Sequence, residues 1–193
     1  MASGAGSNTQ CIIEYFKENS RANVVLVGCN NSDALVLKKA IDLGVHSFVF
    51  NKDELTSLPV VLDKLLAERV DLVVLAGFLL KVPKSLVLAF PNRIVNVHPA
   101  LLPKFGGKGM YGKHVHRAVI DAQEVESGIT IHYVNERYDE GAIIFQAKCD
   151  VGENDDVRAL EKKVRTLEHE HYAKIIDQIM NDLINYFSIV FMF

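Results

Sequence analysis

The sequence has only three cysteines among its 193 residues, and Cys11, Cys29 and Cys149 lie far apart. An odd number at these spacings fits neither a disulfide framework nor a zinc site, so we expect unpaired thiols in a reducing compartment. The sequence also lacks an apolar run long enough to span a bilayer. Its start lacks the basic and apolar regions of a secretory signal. We therefore predict a cytoplasmic protein without a membrane partner.

The chain has little net charge, with 21 Lys and Arg residues against 24 Asp and Glu residues. The basic residues are scattered as on a solvated face, so the sequence does not indicate a nucleic-acid partner. About half of the residues are hydrophobic (49%). This length and composition predict one domain with a sizeable core.

The first half alternates short apolar runs with longer helical patterns. Strand candidates lie at 22–29, 46–51, 71–78 and 93–98, and helical patterns lie at 32–44 and 58–70. Ser32 is the expected N-cap of the first of these helices and Gly44 its C-cap. The alternation predicts βαβ units, and hence an α/β fold with a doubly wound, mostly parallel sheet flanked by helices.

The second half has a different pattern. The runs 127–134 and 141–149 are close enough to form an antiparallel hairpin, and 155–185 reads as a long helix with one charged side. The apolar tail "YFSIVFMF" (186–193) is compatible with a short final strand or with a buried end.

A small-residue loop, "SGAGSN" (3–8), stands at the start of the chain. Such a loop, placed between a parallel strand and a helix, favours an anion, typically a phosphate. Only two residues precede it here, so no strand can lead into it. Two interpretations stay open: the chain lacks residues from its true start, or the loop is an ordinary flexible terminus.

The stretch "IVNVHPALLPKFGG" (94–107) holds the strongest chemical signal. Asn96 and His98 are two apart on a strand, so they point to one face, at the carboxyl end where open α/β sheets bind ligands. Pro99 and Pro103 stiffen the loop that follows. An amide and an imidazole N–H aimed at one point can stabilise an oxyanion, as acyl transfer requires. A capped strand end is the alternative interpretation.

Asp139, in "RYDEGAII", is the candidate for a third group that sets the proton state of His98. A nearby carboxylate favours the charged imidazole, so we expect a raised His98 pKa. The alternative is an ordinary turn residue, because Gly141 lies close by.

The stretch "NVHPALLPK" resembles the signature of folate-dependent formyltransferases of the glycinamide ribonucleotide transformylase type. Further segments resemble that family's blocks in the same order: "SGAGSN", "VVLAGFLLKVP", "GKHVHRAV", "GITIHYVNERYDEGAIIFQ" and "VRTLEHEHY". The resemblance implies one formyltransferase domain over 1–193, with a nucleotide-binding half over about 1–98. The folate and catalytic half, with the C-terminal helix, would occupy about 99–193.

The resemblance also implies a reaction. The amine of glycinamide ribonucleotide attacks the formyl carbon of its co-substrate, 10-formyltetrahydrofolate, in de novo purine (IMP) biosynthesis, without a metal. Asn96 and His98 would stabilise the oxyanion, and Asp139 would charge His98 and help to move the amine's proton. The implied partners are these two small molecules, and the chain would be a monomer or a homodimer.

Binding positions carry over residue by residue from the same resemblance. Those for glycinamide ribonucleotide are Gly6, Ser7, Asn8, Arg165 and Glu168. Those for folate are Lys52, Leu79, Leu80, Lys81, Val82, Asn96, Asn135, Glu136, Arg137, Tyr138 and Asp139. Much of the folate recognition is expected to come from backbone groups.

The chain departs from the family pattern in three places. The family's first strand is absent, so we expect that residues are missing from the true start and that the chain as written is poorly stable or inactive. Leu80 stands where an arginine is frequent, which puts one folate contact in doubt. The stretch "FGGKGMYGKHVH" (105–116) is longer than in many members, and its glycines predict a mobile loop beside the active site.

Other functions stay open beside this one. A methionyl-tRNA formyltransferase or a formyltetrahydrofolate deformylase would normally carry an additional domain, for which this length leaves no room. A catalytically silent nucleotide- or folate-binding module is the non-enzymatic alternative. Binding alone does not require Asn96, His98 and Asp139 together, which argues against that alternative.

Overall fold

The computed structural model describes residues 1–19 and 22–190, with side chains described up to residue 183. Its helices are α1 (Ser7–Glu18), α2 (Leu35–Asp42), α3 (Lys52–Thr56), α4 (Val60–Ala67), α5 (Lys84–Ala89), α6 (Lys113–Asp121) and α7 (Val157–Val190). Its strands are β1 (Leu26–Cys29), β2 (His46–Val49), β3 (Val73–Leu75), β4 (Ile94–His98), β5 (Glu126–Tyr133) and β6 (Ile143–Asp150).

The strands form two sheets in the described part of the chain. β1 and β2 pair in parallel, and the other four lie in the order β3-β4-β5-β6. β3 and β4 are parallel, whereas β4–β5 and β5–β6 are antiparallel. The predicted α/β class, the parallel strands flanked by helices and the late hairpin are therefore confirmed. The antiparallel β4–β5 pair was not predicted, and it matters most for the site.

The prediction that Ser32 caps a helix is wrong. α2 begins at Leu35, and its N-cap is Ala34, which makes no side-chain capping bond. Asn31 holds the preceding turn, because its side chain accepts from the Asp33 N–H and its carbonyl accepts from the Ala34 N–H. That turn delays the helix. Gly44 lies just beyond the end of α2 with a φ of 70°, the left-handed conformation that a glycine there supplies.

Three short helices were not predicted. α3 has a complete capping box, in which the Asn51 side chain accepts from the Glu54 N–H and Glu54 accepts from the Asn51 N–H. This Asn-x-x-Glu pattern is a readable sequence signal. Pro83 is the N-cap of α5. α6 overlaps the segment "GKHVHRAV", which we identified only by its resemblance to the family.

The long C-terminal helix reaches further than predicted. α7 runs from Val157 to Val190, so a final strand over 186–190 is wrong. This stretch contains no glycine or proline that would end a helix. The side chains of 184–190 and all of 191–193, on which the alternative of a buried end depends, lie outside the described residues. No helix in the described part of the chain combines the length and hydropathy of a membrane span.

The first residues lie between the two sheets. The Met1 amine donates to the Val74 carbonyl, and the Met1 carbonyl accepts from the Ala76 N–H at 2.9 Å. Ala2 forms a parallel bridge to Cys29 on the other side. Met1 and Ala2 thus occupy the position of a strand between β1 and β3.

A cavity of about 410 Å³ continues from Met1 between the two sheets. Its sides are formed by 22–28 and 69–74, and its apolar lining includes Ile12, Phe16, Ile176 and Met180. We name this space the strand slot. That a whole strand is missing from the chain stays a prediction; the slot lies where such a strand would run.

Candidate active site

The register of β4 and β5 brings the polar residues of the site together. Asn96 lies directly opposite His132, and His98 lies opposite Thr130. Residues two apart on a strand share a face, so these four side chains lie on the same side of the sheet. His98 is the last residue of β4, at its carboxyl end, as predicted.

One ring nitrogen of His98 is hydrogen-bonded, and the other faces a carboxylate. Nε2 lies 2.8 Å from the carbonyl oxygen of Phe105. A carbonyl can only accept, so Nε2 carries the hydrogen. Nδ1 lies 3.6 Å from Oδ2 of Asp139. Nδ1 is therefore the nitrogen that can take up a proton beside the carboxylate.

The expectation of a raised His98 pKa is wrong in direction. Burial lowers the pKa of His98 below its ordinary value, and this outweighs the opposing effects of Asp139 and the Phe105 carbonyl. The side chain of His98 is only 4% exposed, and desolvation penalises the charged ring. The resting imidazole is neutral, and its Nδ1 has a lone pair that can accept a proton.

Asp139 joins the histidine to the glycine-rich loop after β4. Its Oδ2 accepts a 2.9 Å hydrogen bond from the Gly107 N–H. Its backbone has a φ of 55°, a conformation that Asp and Asn tolerate better than most residues. Two residues on, a Cβ on Gly141 would lie 1.6 Å from the Tyr133 carbonyl oxygen, so only glycine fits there. The segment "DEG" therefore forms a tight turn and also supplies Asp139 to the site.

A buried network holds the loop that follows His98. The Thr130 hydroxyl donates to the Ala100 carbonyl at 2.7 Å and accepts from the Leu102 N–H at 2.9 Å. The Gln146 side chain donates to the Leu102 carbonyl at 3.0 Å. The stiff loop predicted from Pro99 and Pro103 is thus also held by side chains of β5 and β6.

His132 is a site residue that sequence reasoning missed. Its Nε2 lies 3.2 Å from Nδ2 of Asn96 and 3.7 Å from Oδ1 of Asp139. Its Nδ1 lies 2.8 Å from the Tyr133 carbonyl oxygen. Burial lowers the pKa of His132 as well. The spacing of Thr130 and His132 repeats that of Asn96 and His98 and indicates a shared face, but only the strand pairing places His132 opposite Asn96.

The small-residue loop leads into α1. Gly6 is the N-cap, with a φ of 68°, and a Cβ there would lie 2.5 Å from a methyl carbon of Val36. Glycine is therefore required on both conformational and steric grounds. Ser7 and Asn8 begin the helix, whose free N–H groups would favour an anion.

Two residues of α7 face this loop. The Asn8 amide donates to Oε2 of Glu168 at 2.7 Å, and Arg165 pairs with Glu161. Burial raises the pKa of Glu168. Asn8 Oδ1 is buried and has no hydrogen-bond partner among the described residues, so an acceptor is left for a ligand.

His116, on α6, is a second residue that sequence reasoning did not single out. It lines the same cavity and is only 4% exposed, and its Nδ1 has no partner in the described part of the chain. Burial lowers the pKa of His116, with Glu161 and Arg165 acting in opposite directions.

These groups line one cavity of about 320 Å³. Of the predicted site residues, the cavity lining includes Gly6, Ser7, Asn8, Leu79, Leu80, Lys81, Val82, Asn96, His98, Asn135, Arg137, Tyr138, Asp139, Arg165 and Glu168. Lys81 lies over the Tyr138 ring, 5.4 Å from its centroid. Residues predicted for folate and for nucleotide binding thus line one cavity together with Asn96, His98 and Asp139.

Two predicted residues are not brought into this cavity. Lys52 begins α3 and is exposed. Glu136 pairs with Lys84 at 3.4 Å on the surface. Leu80 lines the cavity without supplying a cation. The adjacent residue, Lys81, supplies a positive charge to the same part of the cavity lining.

The arrangement can perform acyl transfer. An amide N–H and a protonatable imidazole lie beside a carboxylate, next to an anion-binding helix start. The three cysteines are free. Among the described residues, no group of three or more His, Cys, Asp or Glu side chains could hold a metal ion.

Comparison with known proteins decides the family. The model of the formyl transferase family matches residues 1–176. The chain belongs to the formyl transferase family. A phosphoribosylglycinamide formyltransferase of Bacillus subtilis is 33% identical over 184 residues, which are 93% of this chain and 92% of that protein. The chloroplastic phosphoribosylglycinamide formyltransferase of Arabidopsis thaliana is 42% identical over 191 residues, 95% of this chain.

Solved formyl transferase structures agree with the fold. A phosphoribosylglycinamide formyltransferase from Anaplasma phagocytophilum superposes with a TM-score of 0.86 at 32% identity, covering 94% of this chain and 85% of that one. Glycinamide ribonucleotide transformylase 1 from Geobacillus kaustophilus gives 0.85 at 31% identity, covering 93% and 95%. The chain spans 65% and 60% of the length of the two plant relatives, from Arabidopsis thaliana and Vigna unguiculata.

Proposed function

We propose that this chain transfers a formyl group from 10-formyltetrahydrofolate to the amine of glycinamide ribonucleotide, in purine (IMP) biosynthesis. The observation that carries the proposal is that Asn96, His98 and Asp139 line one cavity, with His98 Nδ1 3.6 Å from Oδ2 of Asp139. Relatives that carry the name phosphoribosylglycinamide formyltransferase support it.

The nucleotide occupies the part of the cavity beside the start of α1, which we name the nucleotide arm. Its phosphate accepts from the free N–H groups after Gly6, where the helix dipole adds to the attraction. Arg165 supplies the cation that lines this arm. Asn8 and Glu168 offer acceptors for ribose hydroxyls or for the amine. The substrate's phosphate thus anchors it while its amine reaches β4.

The folate occupies the remaining part of the cavity, which we name the folate arm. Its walls are the loop after β3, at 79–82, and the turn 135–139. The side chains of the first wall are mostly apolar and those of the second are mixed. Flat ring contacts and backbone hydrogen bonds therefore provide most of the recognition. The formyl group reaches Asn96 and His98 from this side.

The chemistry follows from the fixed orientations. The amine nitrogen attacks the formyl carbon, the new C–N bond forms, and the carbonyl oxygen gains negative charge. The Asn96 amide N–H donates to this oxygen, and His98 Nδ1 donates to it after taking up the proton that the attacking amine loses, with Asp139 stabilising the imidazolium. The bond to the folate nitrogen then breaks, and the amine's proton replaces the formyl group there, passed on through His98, Asp139 or water.

An assay of purified protein with both substrates tests the proposal. We expect formylglycinamide ribonucleotide and tetrahydrofolate in equal amounts, and loss of turnover with folate binding retained in His98→Ala. A protein that binds folate but leaves the amine untouched would overturn the proposal. Release of formate instead would favour the deformylase alternative, and formylation of methionyl-tRNA the other relative.

Three further features belong to the same proposal. The protein acts in the cytoplasm, as a monomer or homodimer, without nucleic acid. The plant relatives are named chloroplastic, so a fluorescent fusion of the full-length gene product is the decisive test of location. Light scattering on the purified chain measures its oligomeric state.

A further inference from the structure

Asn96 and His132 form a cross-strand pair at the centre of the site. They are directly opposed in the antiparallel β4–β5 ladder, and Asn96 Nδ2 lies 3.2 Å from His132 Nε2. Both atoms are nitrogen, so one must donate and the other must accept. The Asn96 amide nitrogen has only hydrogens to offer, which makes it the donor. His132 Nε2 must then present a lone pair.

The other ring nitrogen of His132 meets this requirement. Nδ1 lies 2.8 Å from the Tyr133 carbonyl oxygen, which can only accept. Nδ1 therefore carries the hydrogen, and a neutral ring leaves Nε2 free to accept. The ring is 2% exposed and cannot turn toward water. His98 is held in the opposite tautomer, with its hydrogen on Nε2 toward the Phe105 carbonyl.

The orientation of the Asn96 amide follows. With one N–H held by His132, the amide nitrogen is fixed on the side of Asp139, whose Oδ1 lies 3.7 Å from the same His132 nitrogen. The second N–H is then available to the cavity. Without the acceptor, the amide can rotate by half a turn and present its oxygen to the formyl oxygen, which would repel the developing charge.

We propose that His132 is a positioning residue, which holds the Asn96 amide so that an N–H rather than the carbonyl oxygen faces the formyl oxygen. This inference rests on the proposed function for its catalytic meaning. The hydrogen-bond arrangement itself does not depend on it. A histidine that serves only the packing of β5 is the alternative to be excluded.

Three variants separate these roles. His132→Leu keeps bulk and removes the acceptor, whereas His132→Gln keeps a side-chain oxygen that can accept from Asn96. Ile131→Val is the matched control, because Ile131 is a fully buried neighbour that belongs to the hydrophobic core.

We expect His132→Leu to lower kcat by about 10- to 100-fold, less than the roughly 100- to 1,000-fold loss for removing an oxyanion donor outright. The KM values for both substrates stay unchanged. His132→Gln recovers most of the lost kcat, and Ile131→Val keeps wild-type kcat. A Leu variant with wild-type kcat, or one that changes KM alone, would overturn the proposal. So would a Gln variant as impaired as a folded Leu variant.

Nitrogen NMR of the wild-type protein gives a readout independent of turnover. We expect His132 to be neutral at neutral pH with its hydrogen on Nδ1, and one Asn96 side-chain proton to show a hydrogen bond. A hydrogen on Nε2, or a charged ring, would refute the inference even if His132→Leu fails to fold. If the wild-type protein does not formylate glycinamide ribonucleotide, the proposed function fails and the catalytic role with it. The spectra would still report the Asn96–His132 bond separately.

Discussion

The Gly107 N–H donates to Oδ2 of Asp139, the same oxygen that lies 3.6 Å from His98 Nδ1. One carboxylate therefore holds the glycine-rich loop and faces the imidazole. The first role needs only an acceptor, whereas the second needs a negative charge. Substitutions of different chemistry can separate the two.

Asp139→Asn should lose activity but keep the loop in place. Its side-chain oxygen can still accept from Gly107, but it cannot stabilise a charged His98, so we expect kcat to fall by about 100-fold or more. Asp139→Ala should lose activity and also about 1.5–3 kcal/mol of stability, the contribution of a hydrogen bond to a charged group. Steady-state kinetics and urea unfolding measure the two effects. An active Asn variant, or equal stability of both variants, would contradict this division.

Gly6→Ala should destabilise the protein and weaken nucleotide binding. The added Cβ would lie 2.5 Å from the Val36 side chain at a φ of 68°, and overpacking alone costs about 1–3 kcal/mol. Gly4→Ala is the matched control, because a Cβ there meets nothing within 4 Å. Thermal unfolding of both variants checks the prediction, and equal midpoints would show that the loop relaxes freely.

Glu168→Gln should raise the KM for glycinamide ribonucleotide by about 10-fold or more, the effect of losing one charged hydrogen-bond acceptor. The KM for folate should stay the same. Burial raises the Glu168 pKa, so replacing the carboxyl by an amide should not reduce stability at neutral pH. Glu170→Gln, two residues along α7 with 55% of its side chain exposed, is the control. A parallel rise in both KM values would mean that Glu168 acts on the whole site.

Stability should rise with pH between about 5 and 8. Burial lowers the pKa of His98, His116 and His132, and it lowers that of the Met1 amine to about 5. In this range the unfolded chain binds more protons than the folded one, so raising the pH favours folding. The histidines contribute below their ordinary pKa of about 6.5, and the amine contributes up to about 8.

Each of these groups adds at most about 1.4 kcal/mol per pH unit to the slope. Glu168 opposes the trend above its ordinary pKa, because its raised pKa lets the folded state bind more protons. Unfolding free energies from urea titrations across the range measure the slope. His116→Gln should flatten it below pH 6.5. A slope of opposite sign in the wild-type protein would refute the assignment of buried neutral histidines.

An engineered extension of about five apolar, β-forming residues before Met1 should stabilise the protein, since strands are typically that long. It would enter the strand slot and turn the buried amine into an amide N–H that still donates to Val74. Each buried Val or Ile contributes about 1.5–3 kcal/mol against about 1–2 kcal/mol for ordering its backbone. A Gly-Ser extension of equal length should give no gain. Equal melting temperatures for both extensions would mean that the slot does not accept a strand.

The sequence was most informative where residue type and residue spacing indicated the same structure. The buried runs before Cys29 and before His98 predicted β1 and β4, and the spacing of Asn96 and His98 predicted their shared face. Gly44 marked the end of α2 correctly. The start of that helix was wrong because Asn31, not Ser32, organises the turn before it.

The part of the site that sequence could not provide depends on pairing register. Nothing local in "GITIHYV" places His132 opposite Asn96, since that position is set by the antiparallel β4–β5 ladder. The direction of the His98 pKa shift was missed for a similar reason. A carboxylate is visible in a sequence, but the burial of His98 beside β5 and the Phe105 carbonyl depends on how the chain packs.

Ser3 lies where the two sheets meet. Its N–H donates to the Gly77 carbonyl, and its hydroxyl donates to Asn30 and accepts from the Leu79 N–H. Together, Met1, Ala2 and Ser3 connect the β1–β2 pair to the four-stranded sheet by hydrogen bonds. Because few hydrogen bonds between described residues cross this junction, we expect amide exchange to be faster there than inside either sheet. A ligand whose phosphate sits on the loop after Ser3 would couple them, and occupancy of the nucleotide arm would slow exchange as far away as β2.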